Sequence, residues 1–304
     1  MVDSNGVWYL IKRDWNSKIT WKEFMSERTF KIKIGPGSRE PIADILCRAS
    51  NLSRVKIKDA MAKGAVWVIQ NRRQKRVRRA SSLTEPGSTV AFYYDPTVLD
   101  LAPEKGKLIS DEKRYSVWFK PGGVMSQGTL YGDHGSILRQ VEIFFERKRP
   151  VFPVNRLDRE TSGLILLAHS KKAAAELSML FQERKIKKNY MALVKGHPGH
   201  MDEVGVIAFP LDGKSAVTRY KTLRYDPLTD EALVEVSIET GRLHQIRRHF
   251  HMIGCPVWGD PRYGKGNKNR EGLRLAAISL EFTCPLTGEV RYYHEPAAPF
   301  FNTP

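Results

Sequence analysis

An α+β fold is what this 304-residue sequence predicts: helices packed on a mixed, largely antiparallel sheet, preceded by a small α/β unit. Three observations lead there. From Arg114 onward, runs of alternating or continuous apolar residues recur as strands do. Capped amphipathic segments stand between some of them, so helices have a sheet to pack on. Ahead of Arg114, two short helical patterns and a basic, strand-like stretch form a separate group, and the length suits about two domains.

Residues 1–39 hold two aromatic-bearing runs of strand character, VWYLI and TFKIKI, then a break at GPGSREP; no function attaches to this extension. Residues 40–97 form the small unit. PIADILCRASN reads as an amphipathic helix with Ile42, Ile45 and Leu46 on one face. Ser53 is placed to cap a second helix, RVKIKDAMAK, and Gly64 to end it. AVWVIQ and STVAFYYD read as strands. Residues 98–113 are polar, carry Pro103 and Gly106, and read as a linker. Residues 114–304 are the larger domain. YSVWFKP is a strand ending in Pro121-Gly122-Gly123, and GLILLAH is a near-continuous apolar strand. Ser170 caps the helix KKAAAELSMLFQERK. KNYMALVKG, AVTRYKTLRY, ALVEVSIET and RLAAISLEFTC supply further strands. In GRLHQIRRHFHMIG, Leu243, Ile246, Phe250 and Ile253 recur at spacings of three and four, the apolar stripe of a helix that Gly254 ends. No tandem repeat or low-complexity tract interrupts this order.

Composition is ordinary for a globular protein, with 41% apolar and 27% charged residues. No apolar run approaches the roughly 18 residues of a membrane span. The first residues lack a charged-then-apolar leader pattern. Cys47, Cys255 and Cys284 are odd in number and far apart, which fits neither a disulfide framework nor a zinc site and suggests a reduced, cytoplasmic compartment. The informative quantity is charge: 50 basic against 33 acidic residues, net +17, which favours a polyanionic partner. Between Ser53 and Arg79 lie ten basic residues and one acid, Asp59, about half of that net charge. Their grouping on one helix and the adjoining hairpin favours RNA over a merely solvated face, with Arg54, Lys56, Lys58, Arg72 and Arg73 as candidate phosphate contacts.

Three local features bear on chemistry. In NRLDRETSGLILLA, Asp158 stands between Arg156 and Arg159 at the entrance to an apolar strand, with Thr161 and Ser162 able to tie the turn through side-chain bonds to the backbone. Neighbouring cations favour the ionised carboxylate, which can act as nucleophile or base; a turn-capping role is the plain alternative. In the helix read over Arg242–Ile253, His244, Arg247, Arg248 and His251 fall off the apolar stripe, and the start at Gly241-Arg242 suits phosphate, although a simply basic surface is the plain alternative. His249 and His251 lack an acid or cysteine at matching spacing, so no metal site is expected. Tyr190, among lysines in KKNYMALVKG, could stack on a base or pack in the core.

Taken together and in order, NRLDRETSGLILLA, KNYMALVKG, AVTRYKTL, GRLHQIRRHFHMIGCPVWGDPRYG and RLAAISLEFTCPLTGE, opened by VWFKPGGVMSQG, resemble the RluA-type family of pseudouridine synthases over about 190 residues. Residues 40–97 resemble the small RNA-binding domain typified by ribosomal protein S-four, although its usual basic opening is replaced by EPIADIL. The resemblance implies a curved sheet around a basic cleft and exchange of the uracil N-glycosidic bond for a carbon–carbon bond, with no cofactor and no energy input. It further implies that Asp158 is the essential aspartate, Tyr190 the aromatic on the target uracil, and Arg247 the arginine that orients the carboxylate. Arg156 would help fill the gap left by the extruded base, and Asn155 stands where the family usually has histidine. The implied partner is structured RNA, large-subunit ribosomal RNA first and transfer RNA second, handled by a monomer. A non-catalytic RNA-binding or assembly factor is the competing reading. A metal-dependent nuclease would need clustered carboxylates, and NRLDRE supplies only Asp158 and Glu160.

Overall fold

The structure, a computed structural model, describes residues 8–11 and 28–295. It divides into two compact units. The first comprises the described residues up to Pro103 together with Gln127–Arg139; the second comprises Glu104–Ser126 and the chain from Gln140 onward.

The first unit contains strands β1 (Trp8–Ile11) and β2 (Arg28–Lys33), helices α1 (Ile42–Ser50) and α2 (Arg54–Ala62), strands β3 (Val66–Gln70), β4 (Arg73–Arg76) and β5 (Thr89–Tyr94), and the short helix α3 (Pro96–Leu99). The sheet order is β1-β2-β5-β3-β4, antiparallel throughout. Ser53 caps α2, its hydroxyl accepting from Lys56 N, and Gly64 follows the helix at φ +88°. Asn71 and Arg72 both have positive φ, the backbone of a two-residue hairpin turn between β3 and β4. Ile42, Ile45 and Leu46 of α1 pack with Ile57 and Met61 of α2 against Ile32, Val66, Val90 and Phe92 of the sheet. The apolar face of each helix thus closes over one face of the strands. Trp67 Nε1 donates to Leu130 O, which anchors the returning segment Gln127–Arg139. Asp133 in that segment is buried and ion-paired with Arg76 and Arg78.

The second unit is built on a ten-stranded sheet. Its elements are β6 (Lys107–Asp111), β7 (Tyr115–Lys120), β8 (Phe152–Pro153), β9 (Ser162–Ala168), α5 (Lys171–Gln182), β10 (Lys187–Lys195), β11 (Val204–Ile207), β12 (Thr218–Asp226), β13 (Glu231–Ile238), α6 (Gln245–Met252), β14 (Leu275–Thr283) and β15 (Val290–His294); α4 (Ile137–Phe144) precedes β8. The strand order is β11-β12-β13-β10-β14-β9-β7-β6, all antiparallel except β9 beside β14, and β15 and β8 pair with β14 and β9. The expected α+β class therefore holds. Lys107–Asp111 departs from the linker reading: β6 is an edge strand hydrogen-bonded to β7, its polar residues suiting an edge. Every residue of β9 is buried, as its unbroken apolar run requires of a strand covered on both faces. In β10 alternation turns Tyr190, Ala192 and Val194 to one side, where Ile246 and Phe250 of α6 pack with them. Leu243 does not join that stripe: α6 begins at Gln245, and Leu243 lies before it, 66% exposed. Among the described residues, no helix is long and apolar enough to cross a membrane.

Candidate active site

The segment between β8 and β9 carries Asp158, and its neighbours pin it. Leu157 is buried, and Ser126 brackets it: the hydroxyl accepts from Leu157 N at 2.9 Å and donates to Leu157 O at 2.6 Å. Asn155 turns its Oδ1 to Leu166 N at 2.9 Å, so this side chain closes a backbone donor of β9. Gly123 N donates to Arg159 O at 2.7 Å. Beneath these turns lies Lys120, fully buried, its Nζ donating to the carbonyls of Pro121, Val124 and Arg159 at 3.0, 2.7 and 3.2 Å. Burial pushes this amine down to about 7, against the pull of the Asp158 and Glu160 charges. The expected tie from Ser162 takes another form. Ser162 Oγ donates across to Leu275 O on β14 rather than within the turn.

The carboxylate of Asp158 faces α6. Arg247 is 1% exposed, and its guanidinium is held by a two-pronged bond to the buried Asp260: Nε to Oδ2 at 2.7 Å and Nη2 to Oδ1 at 2.8 Å. That leaves Nη1 for Glu160 at 3.2 Å and Asp158 at 3.5 Å. Asp260 also accepts from Arg262 N and Tyr263 N. Burial works to raise this carboxyl, but the Arg247 bond and those two amides hold it below the usual range. So buried an ion pair contributes more to position than to stability. Arg247 is fixed by Asp260 and offers one remaining edge to the Asp158 loop.

His244 sits at the start of α6 with a left-handed backbone, φ 53°, and makes no cap bond. Its Nδ1 lies 3.1 Å from the Tyr263 hydroxyl and its Nε2 3.9 Å from Asp158 Oδ2. Burial lowers its pKa below the ordinary imidazole value, with Arg247 and Arg262 in the same sense and Asp158 opposed. Gln245 fixes the turn, accepting from Thr240 Oγ1 and Arg242 N while donating to Val217 O and Thr218 Oγ1. The cleft here, about 450 Å³, is lined by Arg159, Glu160, Leu243, His244, Arg247, Pro261 and Arg262.

Tyr190 is 8% exposed on β10 and shares an apolar cluster with Leu157 and Leu275. Burial, and secondarily the Asp158 charge, raise its phenol well above the ordinary value, so it stays protonated. The strands bring it near the aspartate by register: Tyr190 pairs with Ala277 on β14, and Ala277 with Gly163 on β9. Gly163 has φ +114°, and a Cβ there would lie 2.2 Å from Ala277 O. Only glycine permits this approach.

The other residues singled out from the sequence divide. Arg156 is exposed beside Asp158. Arg242 sends Nε to Ser215 O at 3.1 Å, tying down the segment before β12. In the first unit Arg54 pairs with Asp44, Lys63 with Asp59, and Arg76 and Arg78 with Asp133. Lys56, Lys58, Arg72, Arg73, Lys75 and Arg79 are exposed and carry no ion pair among the described residues. Sequence reasoning passed over Ser126, Lys120, Gln245, Asp260 and Tyr263. Of these, Asp260 and Tyr263 carried a faint signal, GDPRYG directly after the α6 pattern.

Comparison with known proteins points to one family. The family model described as RNA pseudouridylate synthase matches residues 114–252. An uncharacterized RNA pseudouridine synthase of Aquifex aeolicus is 32% identical over 294 residues, covering 86% of this chain and 90% of that protein. The ribosomal large subunit pseudouridine synthase D of Nitrosomonas europaea is 34% identical over 62% of this chain and 61% of its own length. The tRNA pseudouridine synthase C of Vibrio parahaemolyticus is 29% identical over 62% of this chain and 89% of its own. Among solved structures, human RNA pseudouridylate synthase domain containing 4 superposes with a TM-score of 0.53 at 25% identity, over 64% of this chain and 90% of that one.

Proposed function

This chain belongs to the RNA pseudouridine synthases, and we propose that it isomerises uridine in large-subunit ribosomal RNA with Asp158 as the catalytic carboxylate. The observation that carries the assignment of Asp158 is its ion pair with the buried, Asp260-locked Arg247 at the wall of a basic cleft. Isomerisation requires that one nucleotide leave its stack, that the N1–C1′ bond break, and that C5 of the turned base bond to C1′. Asp158 starts this by taking a sugar proton or adding to the substrate, both of which need an ionised, oriented carboxylate. Tyr190, held protonated, serves as a flat platform for the uracil, and Arg156 reaches the vacated stack. The exposed cations of the first unit act as an S-four-like phosphate-binding face. Ribosomal RNA is favoured because the relatives named for it match this chain and because a separate basic unit suits a large folded target.

The test uses two unmodified transcripts, large-subunit ribosomal RNA and transfer RNA, both carrying tritium at uridine C5. Wild-type protein should release tritium from the ribosomal transcript, and Asp158→Asn should release none while binding it with near-normal affinity. Turnover by the variant at the wild-type rate would remove Asp158 from the chemistry, and release from transfer RNA alone would reassign the target.

A further inference from the structure

Pseudouridine formation ends with a proton to dispose of. Once C5 of the uracil has bonded to C1′, that carbon still carries its hydrogen. The C5–H bond must break, its electron pair restoring the C5–C6 double bond, while N1 gains a proton in exchange. Some group at the site has to accept the C5 proton. Resting on the reaction assigned above, we propose that His244 Nε2 is that acceptor.

The cleft decides this by what its walls can offer. Arg159, Arg247 and Arg262 are cations with no lone pair to give, and Leu243 and Pro261 are apolar. The Glu160 carboxylate is engaged by Arg247 at 3.2 Å. The Tyr190 phenol stays protonated, and Lys120 is committed to three carbonyls beneath the loop. Asp158 is taken up at the sugar in the step that opens the reaction, and its charge is shared with Arg247 at 3.5 Å. Of the groups that line the cleft, His244 is left, half-buried and with a ring nitrogen that can take a proton. Its ring is aimed: Nδ1 is hydrogen-bonded to the Tyr263 hydroxyl at 3.1 Å, and in the tautomer whose Nδ1 carries the hydrogen the Nε2 lone pair faces the side of the cleft where Asp158 Oδ2 lies, 3.9 Å away. The backbone shows the same intent. A non-glycine residue at φ 53° costs energy, and this one makes no cap bond in return. The Gln245 bonds to Thr240, Arg242, Val217 and Thr218 hold the turn in that conformation, and the conformation turns the imidazole toward Asp158. His244 then passes its proton to solvent or to N1, so the ring returns to its neutral form and nothing is oxidised.

The groups facing His244 are Asp158, Arg159 and Glu160 from the loop before β9, Arg247 on α6, and Arg262 and Tyr263 from the following turn. The ring's lowered pKa keeps it neutral at neutral pH, so its protonation gives an acid limb to the rate below the ordinary imidazole value.

The experiment compares wild type, His244→Gln and His244→Gly in single-turnover reactions on ribosomal and transfer RNA transcripts made with ordinary or 5-deuterated uridine. Glutamine keeps polarity and the Tyr263 contact but is not basic. Glycine suits the positive φ, so the turn survives and leaves a ring-sized hole. Both variants should slow by about 100-fold or more, the scale of a lost general base. A primary isotope effect from C5 deuterium should emerge in the variants, because proton removal becomes limiting. The acid limb should vanish, and imidazole in the medium should restore His244→Gly in proportion to its concentration. Slowing without a C5 isotope effect and without imidazole rescue would make His244 a positioning residue and overturn the proposal. A wild-type protein that modifies neither transcript would overturn the functional reading, and this proposal with it. Rapid His244 variants alongside an inactive Asp158→Asn would overturn the proposal alone.

Discussion

Lys120 is the residue on which the turns around Asp158 rest. Three carbonyls, those of Pro121, Val124 and Arg159, converge on one Nζ, which joins the end of β7 to the loop carrying Asp158. An amine so placed has no water to help it keep its charge, which is why burial lowers it to about 7. The sign of its effect on stability follows. Between about pH 7 and the ordinary lysine value of 10.5, the unfolded chain binds a proton that the folded chain does not, so stability rises with pH across that window and is level below it. Lys120→Met lacks this dependence. Its deficit in unfolding free energy relative to wild type, read from urea titrations at pH 7 and pH 9, should therefore widen at pH 9; a constant or shrinking deficit would show that the lysine stays charged in the fold. The same residue shows how partners escape sequence reading. FKPGG announces a strand end, but nothing in it says that the lysine turns inward.

At the scale of elements, the meeting of β9 and β14 is what brings Tyr190 near Asp158. Ala277 of β14 pairs on one side with Tyr190 and on the other with Gly163, and there is no room at Gly163 for a methyl group. Gly163→Ala should cost about 1–3 kcal/mol, as overpacking does, and more if the positive φ is not relaxed. Catalysis should fall further than stability, since the strands must separate at the site. Denaturant midpoint and single-turnover rate on the same sample check both, and an alanine variant with wild-type values would show that the close approach is dispensable. Much at this scale was legible beforehand: β9 from its apolar run, β10 from alternation, and α2 and α5 from their serine caps. Those are local signals of period and capping. The parallel pairing of β9 with β14 was not legible, because it joins segments more than a hundred residues apart and leaves no periodic trace. Leu243 was misread for the opposite reason. Its spacing fits the α6 stripe, but the helix starts two residues later, after the turn that Gln245 ties. Asp158, Tyr190 and Arg247 were named from a pattern of motifs. That Arg247 answers first to Asp260 needed coordinates.

For the molecule as a whole, a net charge of +17 suggests one undivided basic surface, and the side chains divide it. Arg54, Lys63, Arg76 and Arg78 have acidic partners, so part of the dense run from Ser53 to Arg79 is structural. Lys56, Lys58, Arg73 and Lys75 are exposed on α2 and β4 without ion pairs among the described residues. Changing these four to alanine should leave folding intact and weaken binding of the ribosomal transcript. Each lost phosphate contact lowers the slope of log affinity against log salt by about 0.7–0.9. Affinities measured across a salt series test this, and an unchanged slope would mean that the cations only face solvent. Deleting the whole first unit would be a poorer experiment, because Gln127–Arg139 belongs to it and would lose its partners. That return of the chain also matters during synthesis. A nascent polypeptide grows from its N-terminus, and its domains ordinarily fold in that order. Here Arg76 and Arg78 leave the ribosome well ahead of Asp133, with β6 and β7 of the other unit emerging in between. The first unit therefore waits, without the Asp133 carboxylate that Arg76 and Arg78 share, until translation has already begun the second.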